Sequence, residues 1–281
     1  MSYPSAVAGA PDEGLASFPC IRDVTGKRAG RTREQVWSKP IVATYTVGTG
    51  EASVVWEMVP GEKELSEVET PPTPEDLEKN RKRASNRARK TLRQFVVRNQ
   101  LSRMWTLTFS TEWWDRAEVI AVVNDWLQRL RVELEGPFPA VYVLELHPGG
   151  HGYHVHVALQ SRFIRWERMG QLWGWGNVQY SDGNKAVRRE TGKREQSRLL
   201  ARYLSKYMVK AWDEHHEPGD HRYEVTQGFQ PDKVRRTFHT LGDAWRWLEG
   251  LDTGSMRVVW SSADVPLEDY GGPPTWLVEW R

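Results

Sequence analysis

An α+β fold built on an antiparallel sheet is predicted by two features of the sequence. Short β-branched and aromatic runs alternate with stretches of helical hydrophobic spacing. From Trp105 to Trp212 these elements run in the order β-α-β-β-α-β-α. The first six match the split βαβ, ferredoxin-like arrangement, an antiparallel sheet with helices on one face. N-terminal and C-terminal appendages flank this unit.

Taken in order, residues 1–40 read as poorly structured. Ile41–Tyr45 and Ser53–Met58 suggest a hairpin joined through Gly48-Thr49-Gly50, so 41–75 reads as a small hairpin followed by an acidic, proline-rich linker. Nine acids between Glu51 and Glu78 face the single Lys63. The prolines of ETPPTPED forbid a regular helix there. The sign then reverses: Lys79 to Arg103 holds ten basic residues and no acid. Thr73 is a plausible cap, with acids in the first turn, so 76–100 reads as a basic helix. Its cations, among them Arg81, Arg83, Arg87 and Arg89, fall on several faces. They suit a phosphate backbone or, equally, a solvated helix pairing with the acidic stretch.

Trp105–Phe109 (WTLTF) reads as a strand. Arg116–Glu135 carries Ile120, Val123, Trp126, Leu127, Leu130 and Leu134 at helical spacing, and Gly136-Pro137 ends it. Ala140–His147 and Tyr153–Leu159 are strands around Pro148-Gly149-Gly150. Trp166–Trp173 is a short helix, Asn177–Ser181 a strand closed by Asp182-Gly183, and Gln196–Trp212 a helix. Residues 101–240 form the main unit, and 241–281 read as a helix and tail ending in WLVEW.

Composition narrows the function. The chain has 281 residues and 39% hydrophobic content, enough for one large core with appendages. No apolar run approaches the roughly 20 residues of a membrane span, and the N-terminus lacks the pattern of a secretory signal. One cysteine, Cys20, excludes an internal disulfide framework and a cysteine-based zinc finger, which makes a reducing, cytoplasmic setting the expectation. The net charge of +2 says little about nucleic acid; its distribution says more.

All eight histidines lie between His147 and His239. His154-Val155-His156 sits in a strand-like run, where positions two apart share a face, roughly 7 Å apart. Either register of the hairpin puts Tyr142, Leu144 and Leu146 with Tyr153, Val155, Val157 and Leu159 on an apolar face. The other face then carries Val143, Glu145, His147, His154, His156 and Ala158. A carboxylate and two imidazoles cluster there, with His147 as a possible fourth ligand. Such donors suit a divalent ion; the plain alternative is a half-exposed strand with polar residues outward. Downstream, Tyr203, Lys206 and Tyr207 share a helix face at i, i+3 and i+4. A phenol, with a pKa of about 10, is a weak nucleophile unless nearby cations favour the phenolate. Lys206 supplies one such charge, and Arg202 and Lys210 add positive potential. Amphipathic tyrosines packed on the sheet are the plain alternative.

The ordered set WTLTF, HVH, YLSKY resembles the three motifs of HUH-type rolling-circle replication initiators, most closely those of small single-stranded-DNA phages and bacterial plasmids with two tyrosines four apart. The resemblance runs from about Leu92 to His239, roughly half the chain. It implies a replication initiator whose 101–240 unit is a metal-dependent nicking endonuclease. The implied cofactor is Mg or Mn, held by His154, His156 and Glu145. Tyr203 would attack the scissile phosphate, leaving a 5′-phosphotyrosine and a free 3′-hydroxyl, with religation needing no ATP. Lys206 would stabilise developing charge, and Tyr207 is a second nucleophile or a packing residue. The implied partners are single-stranded origin DNA, a host polymerase and a host helicase; no P-loop is present in the chain. Arg81, Arg83, Arg87, Arg89, Arg202, Lys210, Arg235 and Arg236 are the candidate phosphate contacts. Of the tryptophans, Trp113, Trp114, Trp166, Trp173 and Trp175 are candidate base platforms or packing residues. A tyrosine transposase is the nearest alternative. A non-catalytic RRM-like nucleic-acid binder is the alternative from another class.

Overall fold

The computed structural model describes residues 40–56, 73–147, 149–181, 192–214, 221–266 and 273–281. The expectations for 1–39, with Cys20, for the acidic segment 57–72 and for Asp182-Gly183 fall outside the described residues. Among the described residues, ten strands and five α-helices form two antiparallel five-stranded sheets and their helical layers.

The central sheet has the order β6-β3-β5-β4-β7. It contains β3 (Arg103–Leu107), β4 (Ala140–Leu146), β5 (Tyr153–Leu159), β6 (Val178–Ser181) and the edge pair β7 (Glu224–Val225). Helix α2 (Arg116–Glu133) connects β3 to β4, and α3 (Trp166–Trp173) connects β5 to β6. This is the predicted split βαβ unit, with strand ends within two residues of those read from the sequence. Asp115 caps α2 by accepting from the Glu118 N–H at 2.9 Å. The apolar stripe Val119, Val123, Trp126, Leu127 and Leu130 then packs with Met169, Leu172 and Trp173 of α3. Beneath them lie Trp105, Leu107, Tyr142, Leu144, Val155 and Val157, the apolar face that the hairpin parity predicts.

Those two helices lie on one face, as expected. A second helical layer covers the other face, formed by α1 (Pro74–Arg98) and α4 (Lys193–Glu214). Leu92, Phe95 and Val96 of α1 and Leu200, Leu204 and Met208 of α4 pack on Met104, Val141, Val143 and Ala158. Helix α1 opens on the expected cap: Thr73 accepts from the Asp76 N–H, and the Asp76 carboxylate takes the Thr73 N–H, both at 3.2 Å.

The second sheet, β8-β1-β2-β10-β9, joins parts that the sequence presents as separate appendages. The hairpin β1 (Ile41–Thr46) and β2 (Glu51–Trp56) is flanked by β8 (Lys233–Phe238) on one edge and β10 (Thr275–Trp280) on the other, with β9 (Met256–Ser261) beyond. An isolated two-stranded hairpin has two open edges and marginal stability; pairing on both sides removes that problem. One face buries Ile41, Ala43, Val54, Trp276, Val278 and Trp280 against Ala244 and Leu248 of α5 (Leu241–Glu249). The WLVEW tail is thus a strand, and its two tryptophans are core. The opposite face looks towards α1 and α4.

Buried charge fastens that face to the helices. Glu51 and Glu279 are register partners on β2 and β10. Arg93 of α1 reaches both, each at 3.1 Å. Burial pushes the Glu51 carboxyl up, and Arg93 opposes the shift. Arg198 of α4 donates to the backbone carbonyls of Gly50 at 3.1 Å and Trp280 at 3.3 Å. No helix among the described residues is long and apolar enough to cross a membrane.

Candidate active site

The site lies where α4 crosses β4 and β5. Alternation along the two strands places Glu145, His154 and His156 on the α4 side, with Glu145 directly opposite His154. The start of β5 is set by Gly152, whose φ is +76°. A Cβ there would lie 2.4 Å from the Trp113 carbonyl oxygen, the same atom that accepts the Tyr153 N–H at 2.8 Å. Only glycine fits that approach, so the phase of the histidine strand is anchored at its first residue.

Glu145 is 7% exposed and His156 5%, and polar groups buried this deeply require partners. His156 Nε2 lies 2.7 Å from Glu145 Oε2, and its Nδ1 lies 3.2 Å from the Thr106 hydroxyl of β3. The hydroxyl can donate or accept, so it supports either imidazole tautomer. His154 tilts towards His147, with ring centroids 4.5 Å apart. Its pKa is lowered, first by burial, then by the neighbouring imidazoles of His147 and His156, with Glu145 opposing. A neutral ring keeps a lone pair available.

The tyrosines come down onto this group from α4. The Tyr207 ring stacks on His156, centroids 3.7 Å apart and planes 19° from parallel. The Tyr207 hydroxyl donates to the Tyr203 oxygen at 2.5 Å, so both phenols converge on one point. The Lys206 ammonium lies 5.9 Å from the Tyr203 ring centroid. Burial pushes the Tyr207 phenol up, as do its hydrogen bond to Tyr203 and the Glu145 charge. The Tyr203 oxygen, by contrast, receives a hydrogen bond and has a cation close by, both of which favour a phenolate.

The donor set fits a divalent cation by its chemistry. A carboxylate and two imidazoles share one face, and the far nitrogen of His156 is held by a hydroxyl, much as metal-binding histidines are commonly oriented through their other ring nitrogen. As they stand, Glu145 and His156 bond each other, and no three such side chains among the described residues surround one point.

The candidate phosphate contacts divide. Arg87, Arg89 and Arg202 line one cleft, which Lys206 also borders. Arg81 and Arg83 lie on the exposed early turns of α1. Arg235 alternates to the β8 face turned towards the helices, whereas Arg236 faces the other way, its guanidinium 5.5 Å over Trp247. Strand alternation makes it impossible for both members of that pair to join one surface. The Lys210 side chain falls outside the described residues. Trp173 is fully buried in the core, Trp113 stacks on Phe109, and Trp114, Trp166 and Trp175 are exposed. Sequence reasoning missed Thr106; it lies within WTLTF and is the register partner of His156, which only the β3–β5 pairing reveals.

The family model for the replication-associated protein ORF2 matches residues 102–212, from the start of β3 into α4. The match supports a replication initiator and, with it, interaction with DNA. It contains both the histidine strand and the tyrosine helix and leaves the whole second sheet outside. No curated protein and no solved structure matches the chain.

Proposed function

We propose that the protein nicks single-stranded origin DNA by tyrosine attack and so initiates rolling-circle replication, religating the strand by the reverse chemistry. The observation that carries this reading is the convergence of the two phenols on the buried Glu145–His156 pair. A helix that merely packed tyrosines on a sheet would have no reason to bury a carboxylate and an imidazole beneath them.

Tyr203 is the first nucleophile, because it accepts the Tyr207 hydrogen bond and lies beside Lys206. Its oxygen forms a bond to phosphorus as the P–O3′ bond breaks. The phenol gives up one proton and the departing 3′-oxygen takes one up. One ester replaces another, so no outside energy source is needed. Lys206 offsets charge as it develops on the phosphoryl oxygens. Tyr207, whose oxygen occupies the same point, is placed to make the second attack that closes a circle. Glu145, His154 and His156 would hold a Mg or Mn ion, which supplies Lewis-acid polarisation of the scissile phosphate. Thr106 orients His156. A host polymerase would extend the free 3′-end and a host helicase open the duplex. The RRM-like alternative is less favoured, because both faces of the central sheet carry helices and no open sheet platform is left among the described residues.

Incubation with single-stranded origin DNA and Mn should give a DNA-linked protein that survives denaturant. Tyr203→Phe should lose it. Full adduct formation by that variant would remove Tyr203 from its role. Replacing His154 and His156 together by Ala should abolish cleavage and retain most salt-sensitive DNA binding; undiminished cleavage would refute the metal site.

A further inference from the structure

Between the polar face of the second sheet and the α1–α4 layer runs an open cleft of about 1030 Å³. The acids that line it are Glu51, Glu195 and Glu279, and all three pair with Arg93 or Arg198 at its base. Its cations are not matched in the same way. Arg87, Arg89 and Lys90 on α1, Arg202 and Lys206 on α4 and Lys233 on β8 line the same space. None of the six has an ion-pair partner among the described residues. Lys90 is held below the usual lysine range, first by desolvation and then by Lys233, with Arg93 adding to the effect and Glu51 opposing it. Cations gathered at such cost, with the nearby acids already engaged elsewhere, point to an anion that is not part of the chain.

We propose that this cleft holds the sugar–phosphate backbone of a single DNA strand and leads it to Tyr203, with the second sheet as its outer wall. Its destination rests on the nicking reading; backbone binding does not. The cleft reaches the tyrosines through Lys206, which borders it and lies beside the Tyr203 ring. Cations stand on both walls, and one backbone can lie between them, whereas a stiff duplex offers its phosphates from the outside of a rod. Lysine and arginine contacts to phosphate position a strand without reading its sequence. The residues outside the family match would therefore supply grip, and those inside it the chemistry.

The test uses the full-length protein and an oligothymidylate lacking any origin sequence, with affinity followed against salt. Losing two phosphate contacts in Lys90→Gln/Lys233→Gln should make the log–log salt slope shallower by about 1.4, at roughly 0.7 per single-strand contact. Lys90→Arg/Lys233→Arg should keep the original slope, and Lys90→Glu/Lys233→Glu should weaken binding further. An unchanged slope in the Gln and Glu variants overturns the proposal, as does an equal effect on a blunt duplex of the same length. Adduct formation by the unsubstituted protein on origin DNA is scored separately. A shifted slope without any adduct leaves the cleft standing and removes the nicking reading; an adduct with an unshifted slope does the reverse.

Discussion

The hydrogen bond from Tyr207 to Tyr203 gives the two tyrosines different work. A bond donated to a charged group contributes roughly 1.5–3 kcal/mol, so Tyr207→Phe should slow the first cleavage about ten- to a hundredfold. The stacked ring would still cover His156. Single-turnover cleavage of a labelled strand measures the first step. A doubly labelled substrate measures strand transfer, which the variant should lose entirely. An unchanged first step would show that the bond does nothing for the nucleophile. Much of this site was legible in the sequence. Period-two alternation alone placed Glu145, His154 and His156 on one face, and helical spacing grouped Tyr203, Lys206 and Tyr207. Which carboxylate–imidazole pair actually closes was not legible. Glu145 lies directly across from His154 yet bonds His156, two positions along the strand. Side-chain rotamers decide that choice, and pattern does not carry them. Thr106 was hidden for a related reason, since its role depends on the pairing of two strands about fifty residues apart.

Among elements, those with local signals were read well and those assembled over distance were not. The cap at Thr73, the stripe of α2 and the hairpin phase of β4–β5 each depend on neighbours in sequence. The second sheet depends on β2 meeting β10 from the far end of the chain, and no local pattern encodes that meeting. Glu51 illustrates the consequence. By composition it opens an acidic linker, yet it is the first residue of β2 and is buried against Arg93. The same contrast sets the expected cost of substitutions. Thr73→Ala removes one exposed cap and should cost about 1 kcal/mol. Arg198→Ala strips a buried guanidinium from the Gly50 and Trp280 carbonyls and from the ion pair with Glu279, and should cost about 3–5 kcal/mol, as for a broken buried pair. Urea unfolding of the two variants under identical conditions measures both. Equal effects would mean that Arg198 does not fasten the second sheet to α4.

Across the whole molecule, a net charge of +2 conceals a strong segregation of sign. The described acids of the second sheet are drawn into its fastening, and the unmatched cations gather in the cleft above it. Such crowding opposes folding while no anion is present. Lys90 fixes the sign of the effect. Its folded pKa lies below the ordinary 10.5, so the unfolded chain binds more protons between those two values. Stability therefore rises with pH through that window, and at neutral pH the charged lysine destabilises the native state. Lys90→Gln should then melt at a higher temperature than the natural protein at pH 7 in low salt, while binding single-stranded DNA more weakly. The advantage should shrink as salt screens the cluster, and again as the pH approaches 10.5 and the lysine loses its proton. Added oligothymidylate should raise the melting temperature of the natural protein more than that of the variant, because a ligand that binds only the native state stabilises it more the tighter it binds. Calorimetric scans across pH and salt measure all of these differences. A variant that melts lower at pH 7 would mean that Lys90 packs productively in the free protein, and that the cleft carries no electrostatic strain for a DNA strand to relieve.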